Sequence, residues 1–216
     1  RIDTMNVTQT NAEIGGYRYR DSDCGCAHEY LLPVIKRFLD AWQGTDRRAF
    51  DLGCGNGAVA NWLSIQGFQV SGVDPSITGI EAANRSFPDL NLQVGSAYDR
   101  LSEKYGKFPL VVSLEVVEHV YAPREYAKCV KDLLQPGGVA IISTPYHGYI
   151  KNLALALSNK MDAHFTALWD HGHIKFWSVP TLTALLSEVG LQVRHVHRAG
   201  RIPSLAKSMV VFAHNV

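Results

Sequence analysis

One short run constrains this chain more than any other: Asp51-Leu52-Gly53-Cys54-Gly55-Asn56-Gly57-Ala58, three glycines set among small residues between an apolar stretch and an amphipathic one. Glycine at that density belongs where a backbone turns sharply and lies close against a neighbour or a ligand. Between a strand and a helix, such a run exposes backbone N–H groups at the helix N-terminus, which suits an anionic group. The architecture that supplies this loop is an α/β sheet.

The remaining chain alternates accordingly. Strands are predicted over residues 48–52, 69–73 and 90–94, with helices over 58–66 and 77–86 between them, a βαβαβ series. A strand over 110–114, a helix over 123–134 and a strand over 139–143, turned by Gly137-Gly138, bring the parallel strands to five. A helix over 27–42 leads into this core, preceded by a polar arm over 1–26. From 144 to 177 the alternation lapses into a segment dense in Tyr, His, Phe and Trp, expected to cover the site. Ser178 and Pro180 then open a helix through Val189, and runs at 191–197 and 209–213 close the chain as a hairpin at a sheet edge. At 216 residues one domain is expected: arm 1–26, cofactor-binding core 27–143, cover 144–177, C-terminal helix and hairpin 178–216.

Acidic residues stand at the predicted strand ends. Asp51, two residues before the first glycine, would repel a pyrophosphate but accept hydrogen bonds from an ammonium group. An amino-acid zwitterion would thus satisfy both Asp51 and the helix N-terminus, and S-adenosylmethionine carries one. Asp74, followed by Pro75 and Ser76, falls where a carboxylate accepts the hydroxyls of a ribose. Gly95-Ser96-Ala97-Tyr98-Asp99 places a backbone amide and a carboxylate where an adenine edge would lie. Cys54 and Asn56 share the loop, Cys54 as a small residue rather than a nucleophile. Two alternatives stay open: a tight βα turn whose acids cap helices, and a nicotinamide-dependent oxidoreductase resting on Gly53, Gly55, Ala58 and Asp74. Asp51 and the lack of a catalytic domain speak against the second.

With Gly72-Val73-Asp74, Leu114-Glu115-Val116-Val117-Glu118-His119-Val120 and Pro136-Gly137-Gly138 added, residues 50–143 resemble class I S-adenosylmethionine-dependent methyltransferases. The Glu-Val-Val-Glu-His-Val run resembles their ubiquinone-biosynthesis O-methyltransferase branch. The resemblance implies a doubly wound, Rossmann-like sheet of seven strands, order 3-2-1-4-5-7-6 with strand 7 antiparallel and helices on both faces. It implies S-adenosylmethionine as cofactor and S-adenosylhomocysteine as product. It also implies that Gly53, Gly55 and Gly57 line the methionine part, Asp74 the ribose, and Ala97 and Tyr98 the adenine, with Leu114, Glu115 and Val116 beneath the sulfonium.

Methyl transfer from a sulfonium mainly needs alignment in a dry pocket, and a hydroxyl acceptor must also lose its proton. His119 is the expected base; capping or packing beneath the cofactor is its alternative role. Glu115 and Glu118 would orient it or bind a divalent ion with it, although no metal is expected. Tyr146, His147, His164, Trp169, His171 and His173 are candidates for the acceptor cover, with Tyr17 and Tyr19 closing from the arm. The apolar residues at 153–157 are expected to pack in the core rather than touch lipid. Cys24, Cys26 and His28 do not complete a zinc site.

Lys plus Arg number 21 against 20 Asp plus Glu, with no basic run, so a nucleic-acid partner is not expected. A small organic acceptor is, methylated on oxygen, with nitrogen or carbon and a cofactor-binding protein without turnover as alternatives. Without a signal-type segment or a bilayer-length apolar run, a cytoplasmic location is expected, with further residues upstream of Arg1.

Overall fold

A computed structural model describes residues 27–170 and 172–216. The first half runs α1 (His28–Asp40), β1 (Arg48–Leu52), α2 (Ala58–Ile65), β2 (Gln69–Asp74), α3 (Ile77–Ser86), β3 (Asn91–Val94), α4 (Leu101–Tyr105) and β4 (Phe108–Leu114). It continues as α5 (Pro123–Leu133), β5 (Leu134–Pro145), α6 (Tyr149–Leu157), α7 (Met161–Phe165), α8 (Val179–Glu188), β6 (Leu191–Ala199) and β7 (Ser208–Asn215). Seven strands form one sheet in the order β3-β2-β1-β4-β5-β7-β6, with β7 antiparallel to both neighbours.

All seven residues of β4 are buried, as an uninterrupted apolar strand must be when helices cover both faces of a parallel sheet. Alternation along the strands divides the core in two. Phe50, Val111, Ile142 and Val211 meet Tyr126, Val130 and Leu133 of α5 and Leu182 and Leu186 of α8. Ala49, Leu110, Val112, Ile141 and Phe212 face Leu31, Ile35 and Leu39 of α1 and Leu63 of α2. The strand order leaves the carboxyl ends of β1 and β4 side by side, the place where open α/β sheets bind ligands.

Several local expectations are corrected. Gly137-Gly138 does not precede the fifth strand but lies within it, in an irregular stretch where pairing jumps from Phe108↔Leu134 to Leu110↔Val139. The five-residue α4 is too short to show a helical period in sequence. The expectation that residues 153–157 pack in the core fails: Leu153 and Leu157 are exposed, and Lys151 is the one buried residue of α6. α6 makes its closest contacts with the β6–β7 connection and α7 rather than with the sheet, so little apolar surface is there to receive it.

Candidate active site at the carboxyl end of the sheet

The glycine loop is held from β2, because the N–H groups of Gly53 and Cys54 both donate to the Val73 carbonyl, at 2.8 and 3.0 Å. Gly53 has φ +84°, and a Cβ there would stand 2.4 Å from Val116, so a side chain is excluded by both backbone and neighbour. Gly57, at φ +79°, caps α2 without a side-chain hydrogen bond of its own. Asn56 Oδ1 accepts from Ala58 N at 3.3 Å. Cys54 is buried, and burial with Asp51 and Asp74 nearby pushes its thiol well up, away from nucleophilic chemistry.

Asp51, the penultimate residue of β1, is almost wholly buried, and its Oδ2 has no hydrogen-bond partner among the described residues. Burial, reinforced by the charge of Asp74, pushes its carboxyl up to about 8. Asp74 does a job the sequence does not reveal: Oδ2 accepts from Gly55 N at 2.9 Å and Oδ1 from Ser76 N at 2.8 Å, bracing the loop from the next strand. Ser76 Oγ caps α3 by accepting from Gly79 N, while Pro75 is exposed. Beyond β3, Asp99 Oδ2 accepts from Ser96 N at 2.7 Å, and Ala97 packs on the core. Tyr98 reaches across to the segment after β4, where its hydroxyl accepts from Tyr121 N and Ala122 N.

Past Leu114, Glu115 takes a left-handed conformation, φ 54°, unusual for a residue with a side chain. Its N–H meets the Ser143 carbonyl and hydroxyl, and its carboxyl accepts from Ser143 Oγ at 2.8 Å and Ser208 Oγ at 3.3 Å. Burial outweighs those bonds and holds the carboxyl up at about 7. Glu118 is buried with neither carboxyl oxygen fully hydrogen-bonded, and burial next to Glu115 pushes it well up. His119 stands edge-to-face with His173, ring centres 4.9 Å apart, and with Trp169 at 6.3 Å. Glu118, His119 and His173 each bring one donor atom to within 4.8 Å of the others, a set able to share one cation.

The cover segment is stitched to this end of β4. Trp177 Nε1 donates to the Val117 carbonyl at 3.1 Å, and the N–H groups of Ile174 and Lys175 donate to the Glu118 carbonyl. The predicted cover residues then separate. Trp169 and His173 stand beside His119, while His147 and His164 turn to a cavity of about 350 Å³ that His173 also lines. Tyr146 is buried between the two, bridged to Trp177. Tyr17, Tyr19, Cys24, Cys26 and His171 lie outside the described residues. Sequence reasoning passed over Lys151, Arg201 and Lys207 at the cavity, and Ser143 and Ser208 at Glu115; no local pattern marks them.

A model of the methyltransferase domain matches residues 23–196. This chain belongs to the methyltransferase domain family. The ubiquinone biosynthesis O-methyltransferase of Ruegeria pomeroyi is 30% identical over 179 residues, covering 77% of this methyltransferase and 71% of that protein. That of a Caulobacter species is 36% identical over 126 residues, and the match spans 48% of its length, about half. Among solved structures, the magnesium protoporphyrin IX methyltransferase of Synechocystis, with bound S-adenosylhomocysteine, shares the fold at TM-score 0.68 and 14% identity, covering all of this chain and 90% of that one. An S-adenosylmethionine-dependent methyltransferase from Corynebacterium glutamicum does so at 0.61 and 20% identity, covering 83% and 86%. The strand order is the one the class I resemblance implied. The site's donor set suits S-adenosylmethionine, the methyl donor that the class I resemblance implies: a buried, unpartnered carboxyl oxygen for an ammonium beside the N-terminus of α2 for a carboxylate.

Proposed function

We propose that this chain transfers the methyl group of S-adenosylmethionine to an oxygen of a small organic acceptor. The observation that carries the reading is the unpartnered Asp51 oxygen beside the glycine loop, a buried acceptor without a donor. Asp51 would hold the ammonium, and the loop of Gly53, Cys54, Gly55, Asn56 and Gly57 the methionine end. Asp74, with Pro75 and Ser76, would hold the ribose, and Ser96, Ala97, Tyr98 and Asp99 the adenine. Leu114, Glu115 and Val116 would lie beneath the sulfur. The donor supplies an already activated methyl group, so the protein's part is positioning, exclusion of water and removal of one proton.

His119 takes that proton from the acceptor hydroxyl. Burial and the neighbouring His119 hold His173 down at about 4, so it is neutral at pH 7 and adds no opposing charge when His119 becomes cationic. Trp169 and Trp177 fix the cover over this point. Oxygen is favoured as acceptor atom by the imidazole base and by the O-methyltransferase names of the relatives.

The test is equilibrium calorimetry with S-adenosylhomocysteine and NADH, followed by labelled methyl transfer to a panel of phenols, alcohols and amines. S-adenosylhomocysteine is expected to bind, NADH not, and label to appear in phenols or alcohols; NADH binding alone, or label confined to amines, would sink the reading. A second reading is favoured by the convergence of Glu118, His119 and His173, which in it hold a divalent cation that polarises the acceptor oxygen. Stimulation of turnover by Mg²⁺ or Zn²⁺, lost in Glu118→Gln, would select it.

A further inference from the structure

The cavity of about 350 Å³ beyond the end of β5 is walled by α6, α7 and the β6–β7 connection, and it is large enough for one small ring-bearing molecule. Its charge is one-sided. Lys151, Arg201 and Lys207 line it, and none of its described lining residues is acidic. Lys151 is only 8% exposed, and its Nζ donates to the Tyr146 carbonyl at 2.8 Å and more weakly to the Lys207 carbonyl at 3.4 Å. Two neutral carbonyls orient the ammonium without cancelling its charge, and one of its three N–H groups is left over. Glu115, the acid whose charge reaches Lys151, is bonded to Ser143 and Ser208 and is not part of the cavity wall. The rest of the wall is largely apolar, including Phe165, Phe176, Leu155 and Leu205.

We propose that this cavity is the acceptor's anion pocket, binding a carboxylate-bearing acceptor whose apolar body lies against Phe165 and Phe176. A buried ammonium facing a hollow whose described wall holds no acid gains from an anion that enters it. Burial and Arg201 lower the Lys151 ammonium to about 8 against a smaller opposing pull from Glu115. The planar fork of Arg201 matches a planar carboxylate, and the remaining Lys151 N–H is a further donor on the same wall. His147 lines the same wall, and burial with Lys151 close by holds it down at about 4, so at pH 7 it is a neutral hydrogen-bonding group rather than a further cation. His173 belongs to this wall, and its ring centre lies 4.9 Å from that of His119. That the occupant is the methyl acceptor rests on the methyl-transfer reading.

The test is calorimetric titration of the full chain, with and without S-adenosylhomocysteine, with 4-hydroxyphenylacetate and with its uncharged amide at pH 7. The acid is expected to bind about ten-fold tighter than the amide or better, with the gap closing in high salt and in Lys151→Met. Lys151→Met also strands two carbonyls, so Arg201→Gln, on an exposed turn, provides an independent variant in which the gap narrows. Equal affinities for acid and amide, or no binding of either, would overturn the proposal. Failure of S-adenosylhomocysteine to bind would instead overturn the methyl-transfer reading, while the acid–amide difference in its absence still decides the pocket.

Discussion

Two neighbouring regions of this methyltransferase bury ionisable groups of opposite kind, acids in one and a base in the other. At the ends of β1 and β2, Asp51 and Asp74 are buried together with no cation among the described residues, and both carboxyls are pushed up. At the end of β5, Lys151 is buried with Arg201 nearby and no acid in the cavity wall, and its ammonium is pushed down. An ordinary core avoids such arrangements or pairs them off. Each region is therefore built for a ligand that brings the missing charge: an ammonium on one side, an anion on the other. His119 stands at the border, and three measurements test the division.

The largest effect is expected at that border. His119→Ala should lower turnover by about 10²–10⁴-fold, the range for loss of a general base. Binding of S-adenosylhomocysteine should stay unchanged by calorimetry; parallel loss of binding would move His119 into the donor region as a structural contact.

Next comes the acidic side. Asp51→Asn should weaken S-adenosylhomocysteine binding by about 1.5–3 kcal/mol, the loss of a charge-assisted hydrogen bond. The wild type should also show a pH slope. The free carboxyl is protonated below about 8, and an ammonium partner requires it ionised, so binding releases a proton. Affinity then climbs with pH, by up to about ten-fold per unit, and levels off near 8. A flat profile from pH 6 to 8, or an identical slope in Asp51→Asn, would remove Asp51 from the donor region.

The smallest effect concerns the stitching between the regions. Trp177→Phe removes the bond to the Val117 carbonyl and should cost about 1 kcal/mol, a drop of a few degrees in Tm. If the stitch positions the acceptor, KM for the acceptor rises while that for the donor holds; equal shifts would show that Trp177 supports both.

The acidic side was legible in the sequence and the basic side was not, for a physical reason. Gly53, Gly55 and Gly57 with Asp51, and Asp74 at the next strand end, form local patterns, because a strand–loop–helix turn concentrates its requirements in a few adjacent residues. Strand order came from the resemblance, since hydrophobic period alone does not order strands. The basic side is assembled over long distances: Lys151 meets the Lys207 carbonyl 56 positions away. The Leu-Ala-Leu-Ala-Leu run shows the same limit. Its composition suits a core, yet α6 lies where only Lys151 is enclosed, and nothing in the run itself distinguishes those settings. Asp74 was read as a ribose acceptor from its place at a strand end, but its grip on Gly55 N depends on how β1 and β2 pair.

The outermost strand has a consequence for solutions of this protein. β6 runs along one rim of the sheet with Gln192, Arg194, His195, His197 and Arg198 exposed, and its pairing with β7 slips between Val193 and His195. A foreign strand zipping onto that rim would have to follow the kink and bury two guanidinium groups, and a second copy would bring two more against them. The opposite rim, β3, offers only four residues to pair with. Polymerisation by sheet extension thus has a poor template at either border, and crowding the molecule should not seed fibres from its folded state.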